Sequence, residues 1–150
     1  MKTIKLFLTL AVVAGLSSCS KDDDSSSTNG NIAARWNPVK TLVEVGSSDI
    51  EQNYEDNEQG CPKDYIEFAS ANVLNRAVYN RNVNTNDCEA VNGTPANWAK
   101  DENILTINGG QYNGSYEITR LTGSELRIAS ENMSGGITTT TTIFFTKASN

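Results

Sequence analysis

From residue 33 onward, the chain consists of short runs in which apolar and polar residues alternate. No stretch sustains the 3.6-residue apolar period of a helix over three turns, whereas alternating or β-branched runs recur throughout. We therefore predict an all-β fold. Eight strands are predicted, at residues 35–45, 64–69, 73–79, 97–100, 103–107, 111–121, 125–130 and 137–147.

Two of these strands have faces that the alternation distinguishes. In strand 64–69, Ile66 and Phe68 share one face, and Asp64 at the end is expected to lie in solvent. In strand 111–121, Tyr112 and Tyr116 alternate with polar residues. Because successive side chains of a strand point to opposite faces, we expect both tyrosines to face the core.

Turn residues separate the later strands. Asn108-Gly109-Gly110, Thr122-Gly123-Ser124 and Ser134-Gly135-Gly136 each lie between two strand-like runs. Asn and Gly tolerate the positive φ angles that tight hairpin turns require. The last four strands are therefore predicted to form an antiparallel meander.

One segment departs from the β pattern. The sequence from Ser48 to Glu51 fits a helix capping box, which predicts a short helix to about Glu58 with Ile50 and Tyr54 on one face. The same region is acidic, with Asp49, Glu51, Glu55, Asp56 and Glu58. A solvated acidic loop is the simpler interpretation, and a calcium site is the alternative, although the spacing does not match an EF-hand loop.

The N-terminus has the pattern of an export signal. Lys2 and Lys5 precede an uncharged, mostly apolar run at 6–16, which is too short to span a bilayer. The run ends in Leu16-Ser17-Ser18-Cys19, which resembles a bacterial lipobox. Residues 1–18 are therefore predicted to be a lipoprotein signal peptide, with Cys19 as the lipidated N-terminus of the mature chain.

A polar segment follows this cysteine. Residues 19–32 have almost nothing apolar to bury and are predicted to be a flexible tether, which leaves 33–150 for the folded domain. The run Lys21-Asp22-Asp23-Asp24 resembles the signal that sends lipoproteins of the Bacteroidetes to the outer face of the outer membrane. The alternative is that these acids only keep the tether solvated.

Composition narrows the chemistry further. The 150 residues include no His, which excludes His-dependent nucleophilic catalysis and imidazole-ligated metal sites; no cofactor is expected. With 12 basic and 18 acidic residues, the chain lacks the positive field that binds nucleic acid. Once Cys19 is acylated, Cys61 and Cys88 remain as an even pair in an exported chain, which predicts one disulfide.

The order of the strands resembles a known family. A strand with Trp36 comes first, then Cys61 ahead of Asp64-Tyr65-Ile66-Glu67-Phe68, then Cys88 and Trp98 before Asn103-Ile104-Leu105-Thr106-Ile107. With the Thr-rich closing strand, this order is similar to the lipocalin-like lipoproteins of the Bacteroidetes. The resemblance implies a small up-and-down antiparallel barrel of eight strands with a disulfide near one end. A two-sheet β-sandwich is the alternative fold, since strand number and alternation fit it too.

A barrel of this size either is filled by its own side chains or holds one small ligand. For a small, largely apolar ligand, the candidate contacts are Ile50, Tyr54, Phe68, Tyr112 and Tyr116, although aromatic residues at alternating positions are also typical of a core. The alternative function is a protein-binding module that uses exposed loops, such as an inhibitor or an adhesion component. We expect no enzyme activity, because the acids of the loop lack a rigid, desolvated setting.

Overall fold

The computed structural model describes residues 27–28 and 30–149. The predicted signal peptide, the lipidation site at Cys19 and the acidic run lie outside the described residues. The described part contains ten strands and one 3-10 turn, Ser70–Asn72. No helix in this part is long and apolar enough to cross a membrane. The strands are β1 (Arg35–Val45), β2 (Ser48–Asn53), β3 (Tyr65–Phe68), β4 (Val73–Arg81), β5 (Cys88–Asn92), β6 (Ala96–Asp101), β7 (Ile104–Asn108), β8 (Gly114–Leu121), β9 (Glu125–Ser134) and β10 (Ile137–Lys147).

Eight of the strands form a closed antiparallel barrel. The order is β1, β3, β4, β6, β7, β8, β9 and β10, and β10 pairs back onto β1 from Trp36–Lys147 to Val45–Thr139. This last pairing confirms the barrel and rules out the two-sheet sandwich, because a sandwich would leave β1 and β10 unpaired. The predicted meander of the last four strands is also confirmed.

The predicted helix after Ser48 is wrong. Residues Ser48–Asn53 form β2, which pairs with β1 from Val45–Ser48 to Lys40–Asn53. Gly46 begins the turn with φ +61°, a conformation that Gly adopts without steric cost. All six residues of β2 are exposed, so its stability comes from pairing rather than from burial, and hydrophobic alternation could not have revealed it.

The other turns contain the predicted glycines. Gly109 and Gly110 connect β7 to β8, and Gly135 and Gly136 connect β9 to β10, all with positive φ. The prediction of positive φ is wrong for Gly123, because hydrogen bonds between Thr122 and Glu125 close that turn instead. Tyr112 lies in the first of these connections rather than in a strand, because β8 begins only at Gly114.

The N-terminal segment closes one end of the barrel. The Leu121 N–H donates to the Ser27 carbonyl (2.6 Å), and the Phe68 N–H donates to the Ala34 carbonyl (3.1 Å). Ile32 is 4% exposed and belongs to the core, and its carbonyl accepts a hydrogen bond from Trp36 Nε1 (2.9 Å). Residues that the sequence analysis assigned to the tether therefore form part of the folded domain. We call residues 27–28 and 30–34 the plug.

The core lies next to the plug. Trp36 and Phe68 are buried there, and Phe68 meets Trp98 edge to face, with ring centroids 5.3 Å apart. The largest fully buried apolar side chains are Trp36, Phe68, Phe145, Ile66, Leu105, Ile107, Ile118, Leu121, Leu126 and Ile128. These side chains pack with Ile32 of the plug in one cluster, which fills the interior of the barrel next to the plug.

The predicted disulfide is confirmed. Cys61 and Cys88 are joined with their Cα atoms 5.5 Å apart, which ties the segment before β3 to the first residue of β5. Closing a loop of this length stabilises the fold by about 3 to 4 kcal/mol on the chain-entropy model. The disulfide holds segment 54–64, which contributes Tyr54 and Asp64 to the open end.

Candidate ligand pocket at the open end of the barrel

A β-bulge in β1 positions the first pocket residue. Pro38 pairs with Phe145 and Lys40 pairs with Phe144, so Val39 has no partner on β10. Pro has no N–H for the ladder and is typically found at such irregularities. The Val39 carbonyl accepts a hydrogen bond from the Tyr54 N–H (2.8 Å), which places Tyr54 against the opening of the barrel.

Asp64 anchors the same region from inside. Its position at the end of a strand predicted exposure to solvent, but Asp64 is 2% exposed, and that prediction is wrong. Its Oδ2 accepts a hydrogen bond from the Tyr54 hydroxyl (2.7 Å), and its Oδ1 accepts one from the Tyr79 N–H (2.8 Å). Its own N–H donates to Asn57 Oδ1 (3.0 Å). These bonds explain the burial, since a buried carboxylate is tolerated where its oxygens are hydrogen-bonded.

The open end contains a pocket of about 570 Å³, which we call the mouth pocket. Three of the five predicted ligand residues, Tyr54, Tyr112 and Tyr116, line it together. The rest of the lining is Pro38, Lys40, Thr41, Gln52, Asn53, Glu55, Asp56, Gln111 and Ile143. The volume is in the range of small-molecule sites, and the lining combines aromatic rings with many hydrogen-bonding groups.

The tyrosines are held in place and kept neutral. Burial, together with the hydrogen bond to Asp64, raises the pKa of Tyr54 well above its ordinary value. Burial also raises the pKa of Tyr112 and of Tyr116. The Tyr112 ring packs against Phe145, with centroids 6.0 Å apart. These phenols therefore offer hydroxyl groups rather than charges to a ligand at neutral pH.

The other two predicted ligand residues lie elsewhere. Ile50 is 67% exposed on β2, and Phe68 is buried in the packed core against Trp98. Neither lines the mouth pocket.

A smaller pocket of about 210 Å³ adjoins Tyr112 on its other side, and we call it the side pocket. It is lined by Leu74, Arg76, Gly93, Thr94, Ala96, Gly109, Gly110, Gln111 and Tyr112. Arg76 was not predicted as a pocket residue. It shares one face of β4 with the apolar residues Leu74 and Val78, which is weak evidence that this face points inward. The opposite face of β4 also combines apolar and polar residues, so the sequence does not show which face is inside.

Other surface features are less suited to a ligand. A depression of about 700 Å³ near the plug is lined mainly by polar and charged side chains, including Lys100, Glu102 and Glu117. Only Ile118 supplies a buried apolar side chain there. Among the described residues, no group of three or more His, Cys, Asp or Glu side chains is placed to hold a metal ion.

Comparison with known proteins agrees with the barrel. The family model described as "lipocalin-like domain" matches residues 24–128, more than half of the chain. A search of curated proteins finds no match. The strand order, the closure of β10 on β1 and this match together show that the chain belongs to the lipocalin-like domain family.

Proposed function

We propose that the protein is a lipid-anchored surface protein whose barrel binds one small molecule at its open end. The observation that carries the proposal is the grouping of Tyr54, Tyr112 and Tyr116 around the mouth pocket. The family and the closed barrel support ligand binding in general. The proposed anchor is the lipid on Cys19, and the proposed location is the outer face of the outer membrane.

The chemistry of the lining refines the expected ligand. A largely apolar molecule would pack against the tyrosine rings, Pro38 and Ile143. The amide and hydroxyl groups of Thr41, Gln52 and Gln111 lie beside these apolar surfaces. A ligand with an apolar ring or chain and a few hydrogen-bonding groups therefore fits better than a pure hydrocarbon.

The test is to fill the pocket. We expect N-phenyl-1-naphthylamine, an apolar fluorescent probe, to bind residues 20–150 and to lose binding in Thr41→Trp, because the indole would occupy the mouth pocket. Thr140→Trp is the matched control, since Thr140 does not line that pocket. Equal binding by both variants, or no binding by the unmodified chain, would overturn the proposal.

The protein-binding alternative has one specific observation in its favour. The free edge of β2 pairs with no described strand, and its residues are all exposed. Such an edge can accept an extended peptide by strand addition. The Tyr54 N–H faces β1, so by alternation the Asp49 N–H faces the free edge. Asp49→Pro would block this mode by removing that donor, and Asp49 does not line the mouth pocket. If partner capture by the unmodified chain survives Asp49→Pro, strand addition at β2 is excluded.

A further inference from the structure

Arg76 points into the barrel rather than into solvent. In the β-sheet register it pairs with Ile66, which in turn pairs with Trp36. Directly paired residues of antiparallel strands lie on the same face of a sheet, and Ile66 and Trp36 are both fully buried. The half-buried Arg76 side chain therefore lies on the inner face, where it lines the side pocket.

This guanidinium has no acidic partner in the described part of the chain. Several other cations of β-strands form ion pairs on the outside of the barrel, such as Arg35 with Glu67 and Arg127 with Glu125. No described carboxylate lies within ion-pair distance of Arg76. The buried carboxylate on the same face, Asp64, is already bonded to Tyr54 and Tyr79. The half-buried guanidinium is therefore free of a carboxylate partner within the described part of the chain and is available to an anionic group that enters the side pocket.

The surroundings of Arg76 suit an anionic group with an apolar body. Leu74 and Ala96 supply apolar walls, and Gly109 and Gly110 leave the opposite side free of side chains. The positive charge of Arg76 also acts on Tyr112, where it opposes the rise of the phenol pKa. Tyr112 borders both pockets and would contact a ligand in either.

We propose that the ligand of this barrel is a small organic anion whose carboxylate or sulfonate pairs with Arg76, while its apolar body packs against Tyr112. The inference rests on the proposed function and names the chemical class of that ligand. A guanidinium matches such groups well, because it donates two parallel hydrogen bonds. In the lining of the mouth pocket two acids, Glu55 and Asp56, outnumber the one cation, Lys40, so an anionic group is favoured less there than beside Arg76.

Two probes that differ by one charge test this proposal. 8-Anilinonaphthalene-1-sulfonate and N-phenyl-1-naphthylamine share a ring system, but only the first carries an anionic group. We expect residues 20–150 to bind the sulfonate more tightly. Arg76→Met should raise the Kd of the sulfonate by about 10- to 100-fold and leave the Kd of the neutral probe within about threefold.

Arg35→Met is the matched control, because Arg35 pairs with Glu67 on the outside of the barrel. It removes the same charge and should change neither Kd. Circular dichroism and thermal unfolding check that both variants fold. If Arg76→Met is unfolded, Arg76→Lys replaces it, and the loss of bidentate geometry should still weaken sulfonate binding selectively.

The outcomes separate the two proposals. If neither probe binds the unmodified chain, the proposed small-molecule function fails, and this inference fails with it. If the neutral probe binds as well as the sulfonate, and Arg76→Met changes neither Kd, the ligand site stands but the anion site is overturned. An equal loss of sulfonate binding in Arg35→Met would also overturn it, because the effect would then reflect net charge alone.

Discussion

At the scale of single residues, the open end depends on a buried carboxylate. Asp64 accepts hydrogen bonds from the Tyr54 hydroxyl and from the Tyr79 N–H, and it is almost fully buried. A buried hydrogen-bond donor that loses its acceptor lowers the stability of the fold. Asp64 therefore stabilises the barrel and at the same time positions Tyr54 in the mouth pocket. Burial of Asp64 therefore links the stability of the barrel to the shape of the mouth pocket.

We expect Asp64→Ala to lower the free energy of unfolding by about 2 to 5 kcal/mol, since two donors are left without a partner. Asp64→Asn should cost less, because the amide oxygen still accepts the bond from Tyr79. Urea unfolding measures both. Asp49→Ala on the exposed strand β2 is the control and should change stability by less than about 0.5 kcal/mol. A loss for Asp64→Ala no larger than that of the control would contradict the role of this network.

The raised tyrosine pKa values predict how stability depends on pH. The pKa values of Tyr54, Tyr112 and Tyr116 are all raised in the folded state above 10.0, the ordinary value. Below that pH these phenols are protonated in both states, and their contribution to stability is fully present. As the pH rises past about 10, the unfolded chain loses these protons first, so the free energy of unfolding should fall.

Urea unfolding at about pH 8 and at about pH 11 measures this fall. Tyr54→Phe should show a smaller fall than the unmodified chain, because it removes one of the three shifted groups. An unchanged dependence on pH in Tyr54→Phe would show that the Tyr54–Asp64 bond does not contribute to it.

At the scale of elements, the plug contributes to the core although it has no regular secondary structure. Ile32 is 4% exposed within the main cluster of buried side chains. We expect Ile32→Ala to lower the free energy of unfolding by about 2 to 4 kcal/mol, through lost burial and the cavity left behind. Ile137→Ala is the matched control, because Ile137 is 56% exposed. A thermal or urea unfolding series compares the two, and equal effects would show that the plug is not part of the cooperative fold.

The elements that could be predicted from the sequence are the strands with one buried face and the turns that contain glycine. The eight barrel strands were found because their side chains alternate, and the turns at Gly109-Gly110 and Gly135-Gly136 were found because their backbones need positive φ. The strands β2 and β5 were missed, since nearly all of their residues are exposed and only pairing with β1 and β4 makes them strands. The capping box at Ser48 favoured a helix locally, but hydrogen bonding to β1 makes this segment a strand.

The residues of the candidate site could also be predicted only where side-chain alternation indicates them. The alternation in strand 111–121 pointed to Tyr112 and Tyr116, and both line the mouth pocket. Arg76 and Asp64 were not found, because a polar residue on an inner face has the same pattern as one on an outer face. Only the register that pairs Arg76 with Ile66 reveals that it points inward.

At the scale of the whole molecule, the plug gives the barrel a direction relative to its proposed anchor. The N-terminal segment enters at the plugged end, where Ser27 bonds to Leu121, and the mouth pocket lies at the other end. Seven residues lie between Cys19 and Ser27, so eight residue steps join them, and an extended chain spans at most about 3.6 Å per step. The plugged end would therefore stay within about 29 Å of a membrane that holds the lipid.

This geometry predicts that the open end faces away from the membrane. A fluorophore at Ser124→Cys, in the turn between β8 and β9, should be quenched by lipid-borne quenchers more strongly than one at Gly135→Cys, between β9 and β10. These two turns lie at opposite ends of β9, a strand of ten residues that is about 33 Å long, so they lie at opposite ends of the barrel. The lipidated protein in vesicles is the sample, and the chain with Cys19→Ser, which lacks the anchor, is the control. Equal quenching at both positions would mean that the barrel lies on its side, and the pocket would then be open to molecules from the membrane surface rather than from the medium.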